Sequence, residues 1–561
     1  MRRRGVLAIA ATLAAAAAYV HLIGPLPLQG RAPEDGFVRV GGVVHVHTTL
    51  SDGGGSPEAA VAAAEGAGLG FLAITDHNNL KAKPIEGYHQ GLLVLVGTEI
   101  STDKGHLLGL GIEDPGFRFS GDALDALQDV RDLEGISFAA HPLSPRADLA
   151  WTGWGLPGGW GIEILNGDSE WREASWPRLM AMAGLYGLNP RYALLRGLSS
   201  QEKVLARWDE ILHERSCPGI AGADAHARLP VTKHWALGLP SYAALFGLAE
   251  NHVVLDRPLT GDAGPDSRAV VHALGAGRSY VGLDALAPAN EFSFTVEDGR
   301  RRFTMGDSVP LAPGLRFRAG GRMPAAARVV LLRDGRPFEE ASGELAVACP
   351  GPGVYRVEVR VPTWPVPWIV SNPIEVYSEE VLQSRRAKLA WPEPEQAGGS
   401  LEALHESSFH AEADSFSRAA LAPEVPSSKA NGLAFRFALG EPTATHPHVS
   451  CALVSREARD LSGRHGLLFR IEADRTYRLW VEVRDKNPRS ADGSEWWFAS
   501  VKASPEARRV ALPFSRFRSI DPKTDGRLDL DRIVMVAFVL DQGAVAPGSK
   551  GTVRLSGIAA Y

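Results

Sequence analysis

The first half of the chain alternates short β-branched or apolar runs with Ala- and Leu-rich stretches, from Gly41 to about Leu283. This alternation is typical of parallel strands joined by crossover helices, and it predicts a barrel-like α/β domain. Between the first two strands, Ser56 is predicted to cap a helix that starts at Pro57 and stops at Gly68. The predicted strands are Val43–His47, Phe71–Thr75, Leu92–Gly97, Ile136–Ala140, Ile162–Leu165 and Gly219–Ala223.

The hydrophobic pattern changes after about Ala287, where apolar and polar residues alternate with a period of two, as in antiparallel strands. Strands predicted at Phe292–Val296, Arg316–Arg318, Arg328–Leu332 and Tyr355–Val361 indicate a small Ig-like β-sandwich. A second, jelly-roll-like sandwich is predicted from Leu433–Phe437, Gly466–Ile471, Thr476–Val483 and Ile533–Val539. The charged, then Pro-, Gln- and Gly-rich sequence between the two is typical of a linker.

A chain of 561 residues is too long for one hydrophobic core, so several domains are expected. The pattern predicts an α/β barrel over 38–286, the Ig-like sandwich over 287–378, the linker over 379–400 and the jelly roll over 401–561. Residues 1–30 are predicted to be a signal peptide or membrane anchor, because three arginines precede the apolar run Gly5–Val20. Export to the periplasm or the extracellular space follows from this prediction. Whether the segment is cleaved after the alanines at 16–18 or anchors the protein in the inner membrane is left open.

Composition narrows the function classes. The formal net charge of −6 offers no basic field, and we find no Lys/Arg stripe interleaved with aromatic residues, so binding of a nucleic-acid polymer is not expected. The three cysteines are far apart and form no CxxC pair, which indicates neither a thiolate zinc site nor a disulfide framework. Any bound metal must therefore use nitrogen and oxygen ligands.

The candidate chemistry lies at the ends of the predicted barrel strands. His45 and His47 are two residues apart on one strand, so both imidazoles project from the same face. Nearly every other predicted strand is followed by a side chain that is able to bind a metal, and barrel active sites are assembled at this face. Imidazole and carboxylate ligands suit Zn²⁺, Mn²⁺ or Fe²⁺. The further candidates are Asp52, His77, Glu99, His106, His141, Asp224 and His226.

These motifs, in the order HxH, D, TDH, E, H, HP and DAH, resemble those of the PHP (polymerase and histidinol phosphatase) metallohydrolases over residues 41–285. The resemblance implies a distorted seven-stranded α/β barrel that holds two or three divalent ions. It assigns three groups of ligands. The first ion would be held by His45, His47, Glu99 and Asp224, the second by Glu99 as a bridge with His106 and His141, and the third by Asp52, His77 and His226.

The same resemblance predicts the reaction. A metal-bridging hydroxide would attack a phosphoester of a small molecule, with Asp52 at the reacting centre and Arg146, Arg228 and Lys233 near the phosphate. Hydrolysis of a carbamate, ester or amide is the alternative, because the segment Trp368–Ile374 resembles the end of the accessory β-domain in carbaryl-hydrolase-like members. His234 and Asp76 are candidates for proton transfer or for orienting a ligand.

A third hypothesis is a surface protein that binds glycans and has lost catalysis. The last segment resembles jelly-roll modules of the carbohydrate-binding or intermediate-associated-protein type, which implies possible glycan contact. Trp480, Trp496 and Trp497 are candidates for a sugar platform, although tryptophans in a sandwich also serve as core residues.

Overall fold

A computed structural model of the protein describes residues 12–15, 18, 25–172, 174–232, 235–362, 364–391, 400–422, 432–490, 492–519 and 523–561. The predicted export segment therefore lies largely outside the described residues, as do Lys233, His234 and residues 392–399 of the predicted linker. Within the described residues, no helix has the length and apolar character needed to cross a membrane.

The first of two compact units comprises Met1–Glu113 and Ala126–Trp391, and its centre is a closed β-barrel. Each strand predicted from an apolar run is present, although the first begins earlier, at Val38. The last strand of the series, Gly219–Ala225, pairs in parallel with Val38–Val46 and so closes the sheet on itself. In order around the barrel the strands are Val38–Val46, Phe71–Ile74, Leu92–Val96, Thr98–Thr102, Gly105–Leu110, Ile136–Ala139, Gly161–Asn166 and Gly219–Ala225.

One part of the barrel differs from the predicted parallel arrangement. The strand Gly105–Leu110 runs antiparallel to both of its neighbours, Thr98–Thr102 and Ile136–Ala139. Only Asp103 and Lys104 connect it to the strand before, and a crossover between parallel strands needs a dozen or more residues. The start of this strand therefore lies where the other barrel strands end.

Helices surround these strands, and the helix Pro57–Ala67 confirms the predicted cap. The Ser56 hydroxyl accepts a hydrogen bond from the Ala59 amide, and Gly68 ends the helix in the left-handed conformation. The other α-helices are Ala123–Asp132, Gly167–Arg172, Trp176–Tyr186, Pro190–Gly197, Glu202–Glu214, Tyr242–Phe246, Ala263–Ala276 and Glu379–Ala387. Short 3₁₀ helices span Lys83–Ile85, Glu406–Ser408, Phe514–Arg516 and Leu530–Arg532.

The strands that follow the barrel continue its sheet. Glu250–Leu255 lies antiparallel to Val38–Val46, and Ser279–Gly282 joins it to Ile369–Ser371. Asn372 fastens this extension to the barrel, because its side chain exchanges two hydrogen bonds with the backbone of Gly219, at 2.7 and 2.9 Å. The remaining strands of this sheet are Gly87–His89, Ser308–Pro310, Arg328–Arg333, Arg336–Ser342, Gly353–Arg360 and Ile374–Tyr377.

Three smaller β-sheets and one helix complete the first unit. A four-stranded sheet has the order Arg302–Thr304, Phe292–Glu297, Arg316–Gly321 and Leu345–Ala348. Two-stranded sheets pair Leu28–Gln29 with Met323–Pro324 and Leu229–Thr232 with Trp235–Leu237. The predicted linker begins with the helix Glu379–Ala387, whose buried Arg385 forms an ion pair with Glu375 at 2.9 Å.

The second unit, Asp114–Asp125 with Pro392–Tyr561, contains the predicted C-terminal β-sandwich. One sheet has the order Arg418–Ala422, Leu433–Ala438, Lys550–Ala560, Gly466–Ala473 and Arg508–Pro513, with Glu402–Ala403 paired to Lys550–Ala560. The other has the order His410–Ala413, Ser450–Ser455, Ile533–Asp541, Tyr477–Lys486, Ser494–Ala503 and Arg518–Ser519.

The tryptophans proposed for sugar contact divide between two environments. Trp497 is only 6% exposed and belongs to the sandwich core, together with Phe469 and Phe538. Trp480 and Trp496 are half-buried. The indole N–H of Trp480 donates to Asp541, and the guanidinium of Arg484 lies 3.6 Å from the ring centre of Trp496.

Two carboxylates face each other inside this sandwich. Asp485 and Glu495 are directly opposite on neighbouring antiparallel strands, and their exposed fractions are 2% and 1%. Burial, reinforced by the negative charges of Glu495 and Asp529, raises the pKa of Asp485 to about 6. The folded state therefore retains a proton that the unfolded chain loses near pH 4.

We expect Asp485→Asn to stabilise the protein above pH 7. As the pH rises from about 4 to about 6, the free energy of unfolding of wild type should fall relative to that of the variant, because Asp485 ionises in the unfolded chain but stays protonated in the folded protein. Above about pH 6 the difference between the two proteins should be constant. The gain should be about 2 kcal/mol after allowance for screening, measured as a rise in thermal midpoint by calorimetry. Asp531→Asn, at an exposed carboxylate, is the control and should behave as wild type. Equal midpoints for Asp485→Asn and wild type at pH 8 would contradict the expectation.

Candidate metal centre

All nine predicted donors converge at one end of the barrel. Most lie at or just beyond the C-terminal ends of parallel strands, which share one face of the sheet. His106 reaches the same place from the start of Gly105–Leu110, because that strand runs in the opposite direction. The donors are His45, His47, Asp52, His77, Glu99, His106, His141, Asp224 and His226.

Glu99 is the centre of this cluster and is 1% exposed. Its Oε1 accepts hydrogen bonds from Nδ1 of His106 at 2.8 Å and Nε2 of His141 at 2.9 Å. Its Oε2 faces three more imidazoles, which contribute Nε2 of His45 at 3.2 Å, Nε2 of His47 at 3.1 Å and Nδ1 of His77 at 3.2 Å. One buried carboxylate therefore collects five of the six histidines.

Two aspartates occupy the other side of the cluster. Oδ1 of Asp224 lies 3.4 Å from Nε2 of His45, 3.3 Å from Nε2 of His47 and 3.4 Å from Nδ1 of His226. Asp52 is half-exposed at the mouth of the site, with Oδ2 at 3.4 Å from Nε2 of His226. The mouth of the site is thus lined by a carboxylate, while Asp224 lies buried beneath it.

The donor atoms form overlapping groups of the size that holds one ion, with all atoms of a group within 4.8 Å of one another. These groups overlap with the predicted assignment without reproducing it, because His45, His47, His77 and Glu99 each belong to two groups. The assignment of individual ligands to individual ions therefore stays a prediction. The groups are His45/His47/Asp224, His45/Glu99/His141, His77/Glu99/His106 and His47/Asp52/His77/His226.

The donor set fits divalent metal ions. Among the described residues, several buried ring nitrogens make no hydrogen bond: Nε2 of His45, both nitrogens of His47, and Nδ1 of His77 and of His141. An unpaired buried polar atom costs about 1–3 kcal/mol, and coordination to a metal would satisfy these nitrogens. Without thiolates, the set suits Zn²⁺, Mn²⁺ or Fe²⁺.

The pKa values of the donors depend on the charges of the neighbouring donors. Burial alone would raise the pKa of Glu99, but the charge of His45 and hydrogen bonds from His106 and His141 hold it well below its usual value. Burial would likewise lower the pKa of His226, but the carboxylates of Asp52 and Asp224 raise it to about 9.

Glu163 supports the cluster from below and was not predicted from the sequence. Its Oε1 accepts a hydrogen bond from Nδ1 of His45 at 2.6 Å, which leaves Nε2 of that ring to face the other donors. Its Oε2 accepts from the backbone N–H of His141, also at 2.6 Å. A Cβ at Gly222 would lie 1.8 Å from Oε1 of Glu163, so glycine at this position makes room for the carboxylate. Glu163 is a charged residue within the apolar run Ile162–Leu165, and this unusual position could have identified it from the sequence.

Asn166 extends this support to Asp224. Its side-chain amide donates to Glu163 at 2.8 Å and to Oδ2 of Asp224 at 3.2 Å. His45, His141 and Asp224, the three donors held by this pair, have left-handed backbone conformations with φ of 66°, 30° and 49°. Such conformations are strained for residues other than glycine and persist where the surroundings enforce them.

Asp76 has a different role from the proposed contact with a ligating ring. Its carboxylate accepts hydrogen bonds from the Thr48 amide and hydroxyl, both at 2.7 Å, and from the Ser51 hydroxyl. Because these residues belong to the loop between His47 and Asp52, Asp76 positions the loop that carries Asp52. The position of Asp76 next to His77 in the sequence did not predict its contacts with Thr48 and Ser51.

The cluster opens into a cavity of about 620 Å³. Arg146 and Arg228 both line it, and so does Asp168, which sequence analysis missed. Contact of the two arginines with a phosphate stays a prediction. Arg228 donates to the backbone carbonyl of Asp52 at 3.1 Å, whereas Arg146 forms an exposed ion pair with Asp148 at 2.7 Å. The cavity therefore combines metal-binding donors with two cations at its wall.

Comparison with known proteins gives distant likenesses. No family model and no curated protein matches the chain. A two-domain protein from Bacteroides vulgatus, described as containing a predicted PHP-like metal-dependent phosphoesterase, is 16% identical over 62% of this chain and 98% of its own, with a TM-score of 0.29. A family 11 carbohydrate-binding module from Clostridium thermocellum, in complex with a β-1,3-1,4-mixed-linked tetrasaccharide, is 16% identical over 29% of this chain and 96% of its own, with a TM-score of 0.24.

We expect Glu163→Gln to weaken metal binding by roughly 10- to 100-fold, because an amide holds the His45 ring and its proton less firmly than a carboxylate does. Competition with a chromogenic chelator would measure the loss. Glu113→Gln, at a carboxylate that is 89% exposed, is the matched control and should retain wild-type affinity. Unchanged metal retention in Glu163→Gln would show that this carboxylate does not support the site.

Proposed function

We propose that this protein is a metal-dependent hydrolase that cleaves phosphoesters of small molecules. The observation that carries the proposal is the convergence of nine imidazole and carboxylate donors around Glu99, with buried nitrogens that lack partners in the described structure. A structural histidine in a protein core normally has both ring nitrogens satisfied. A cluster of six histidines that faces a cavity, four of which have a buried nitrogen without a hydrogen-bond partner among the described residues, favours metal chemistry.

Two or three divalent ions, when bound, supply the Lewis acidity that makes water nucleophilic near neutral pH and offsets charge on the substrate. The chain contributes the geometry. Glu99 fixes five rings around one point, while Glu163 sets the proton of His45 on the ring nitrogen that points away from the cluster. Asp52 stands half-exposed at the mouth, where it can orient a group entering from the cavity.

The cavity wall supports a phosphoester as substrate. Arg146 and Arg228 place two guanidinium groups beside the donors, and guanidinium matches the geometry and charge of a phosphoryl group. The hydroxyl groups of Ser101 and Ser144 also line the cavity and add neutral hydrogen-bond donors. An uncharged carbamate, ester or amide would use the same metal chemistry but would gain little from the two arginines.

Finer features of the proposal follow from the sequence. We propose a PHP-type barrel of seven strands, with Leu92–Val96 and Thr98–Thr102 taken as one, and an affinity with the carbaryl-hydrolase-like branch. The basic and apolar N-terminus supports export, either as a released protein or as one anchored to the inner membrane. The half-buried Trp480 and Trp496 are the residues that would provide glycan contact in the C-terminal sandwich.

We expect metal removal to abolish hydrolysis of p-nitrophenyl phosphate, and Zn²⁺, Mn²⁺ or Fe²⁺ to restore it. His45→Ala and Glu99→Ala should each lower kcat by at least about 1,000-fold and reduce the metal content of the purified protein, because they remove shared ligands. Activity that persists in metal-free protein would contradict the proposal. Turnover confined to 1-naphthyl N-methylcarbamate would replace the phosphoesterase function with the carbamate alternative.

Arg228→Ala tests the choice of substrate class directly. We expect kcat/KM for p-nitrophenyl phosphate to fall roughly 10- to 100-fold, since a charge-assisted hydrogen bond to the phosphoryl group is lost. Turnover of an uncharged ester should change little. Arg257→Ala, an arginine that does not line the cavity, provides the control. An equal loss for both substrates would assign Arg228 to the loop that carries Asp52 and not to phosphate binding.

A further inference from the structure

A second group of potential ligands lies elsewhere in the first unit. Glu250 and His252 are two residues apart on Glu250–Leu255, so both side chains project from the same face of that strand. Asp284 follows the neighbouring strand Ser279–Gly282. The donor atoms of these three residues lie within 4.8 Å of one another.

His252 presents an unsatisfied nitrogen at this place. The side chain is 2% exposed, and Nε2 lies 2.9 Å from Oδ2 of Asp284. An ionised carboxylate only accepts hydrogen bonds, so Nε2 carries a proton, and in the neutral ring Nδ1 then has a free lone pair. Among the described residues, Nδ1 of His252 makes no hydrogen bond. A carboxylate that fixes one ring nitrogen while the other stays open is the usual arrangement around a metal-bound histidine.

Gly41 shows that Glu250 faces the same space. A Cβ added to Gly41 would lie 2.2 Å from Oε2 of Glu250 and 3.2 Å from Nδ1 of His252. The carboxylate oxygen and the open nitrogen therefore approach a common point beside the backbone of the first barrel strand. Glycine at this position makes room for the carboxylate of Glu250.

The local charge favours a cation. Glu250 and Asp284 place two carboxylates around one buried imidazole, and two negative charges this close repel each other unless a cation offsets them. Arg191 and Arg39 are the basic groups whose charges reach the cluster. Arg39 is engaged in an ion pair with Asp35, and Arg191 packs against Gly247. A divalent ion would offset both carboxylates at once.

We propose that Glu250 and Nδ1 of His252, with Asp284 orienting the ring, form a second metal site that binds one divalent transition-metal ion. Nitrogen and carboxylate ligands without thiolate suit Zn²⁺, Mn²⁺ or Fe²⁺, with water at the remaining positions. The ion would bind two residues of Glu250–Leu255, and the hydrogen bond from His252 to Asp284 would connect it to the segment after Ser279–Gly282. This site is separate from the cluster around Glu99 and does not depend on the reaction proposed above.

Zn²⁺ stoichiometry tests the proposal. Full-length protein, stripped with a chelator and dialysed against buffered Zn²⁺, is analysed by mass spectrometry for wild type, Glu250→Gln and Asp256→Asn. Glu250 is half-buried and glutamine preserves its shape, so the variant should fold. Asp256, just beyond the same strand, forms an exposed pair with Arg278 and is the matched control. We expect Glu250→Gln to hold one Zn²⁺ fewer than wild type and Asp256→Asn to hold the same number.

Thermal unfolding with and without Zn²⁺ gives a second measurement. The Zn²⁺-induced rise in midpoint should be smaller in Glu250→Gln, while hydrolysis by the variant should match wild type. Equal Zn²⁺ content in all three proteins would overturn the second site. Absence of hydrolysis in all three would count against the proposed function alone, because the difference of one ion would still be counted.

Discussion

The buried carboxylate of Glu99 is the constraint on which the site depends. Removing a carboxylate from water is costly unless charges or hydrogen bonds replace its hydration, and here five imidazoles do so. Those five rings come from strands that are distant in sequence, so the closed barrel has to bring them together. The same barrel closure, through Gly219–Ala225 and Val38–Val46, places Asp224 against His45 and His47.

The positions of the strands and of the nine donors were predictable because each signal is local. An apolar run followed at once by a histidine or acid marks a strand end, and parallel strands place such ends at one face. His106 did not follow this rule, because it opens an apolar run, and it reaches the same face since its strand is antiparallel to both neighbours. The short connection at 103–104 indicates that the strand after it runs antiparallel, because two residues are too few for a crossover. The pattern of apolar residues alone does not give the direction of a strand.

The supporting residues were harder to predict because their roles exist only in three dimensions. Glu163 lies in the middle of an apolar strand, and its function depends on His45, which is 118 positions away in the sequence. Asn372, which follows the strand Ile369–Ser371, is hydrogen-bonded to Gly219 of the barrel. The spacing of apolar residues along the chain does not predict such a contact. Asp76 was noticed for its neighbour in sequence, yet its contacts are with the Thr48–Ser51 loop. Sequence patterns thus located the clustered donors better than the network of residues that orients them.

The left-handed backbone at His45, His141 and Asp224 has a consequence for how this protein tolerates change. Each conformation carries a local energetic cost that the surrounding sheet has to outweigh, so these positions are held in a conformation that the isolated chain does not prefer. Glycine at any of the three would relax the backbone, but it would also remove a side chain that satisfies a buried polar partner, Glu163, Glu99 or Asn166. The strained backbone and the buried hydrogen bonds are therefore retained or lost together, and relief of strain at these positions is not a simple route to a more stable barrel.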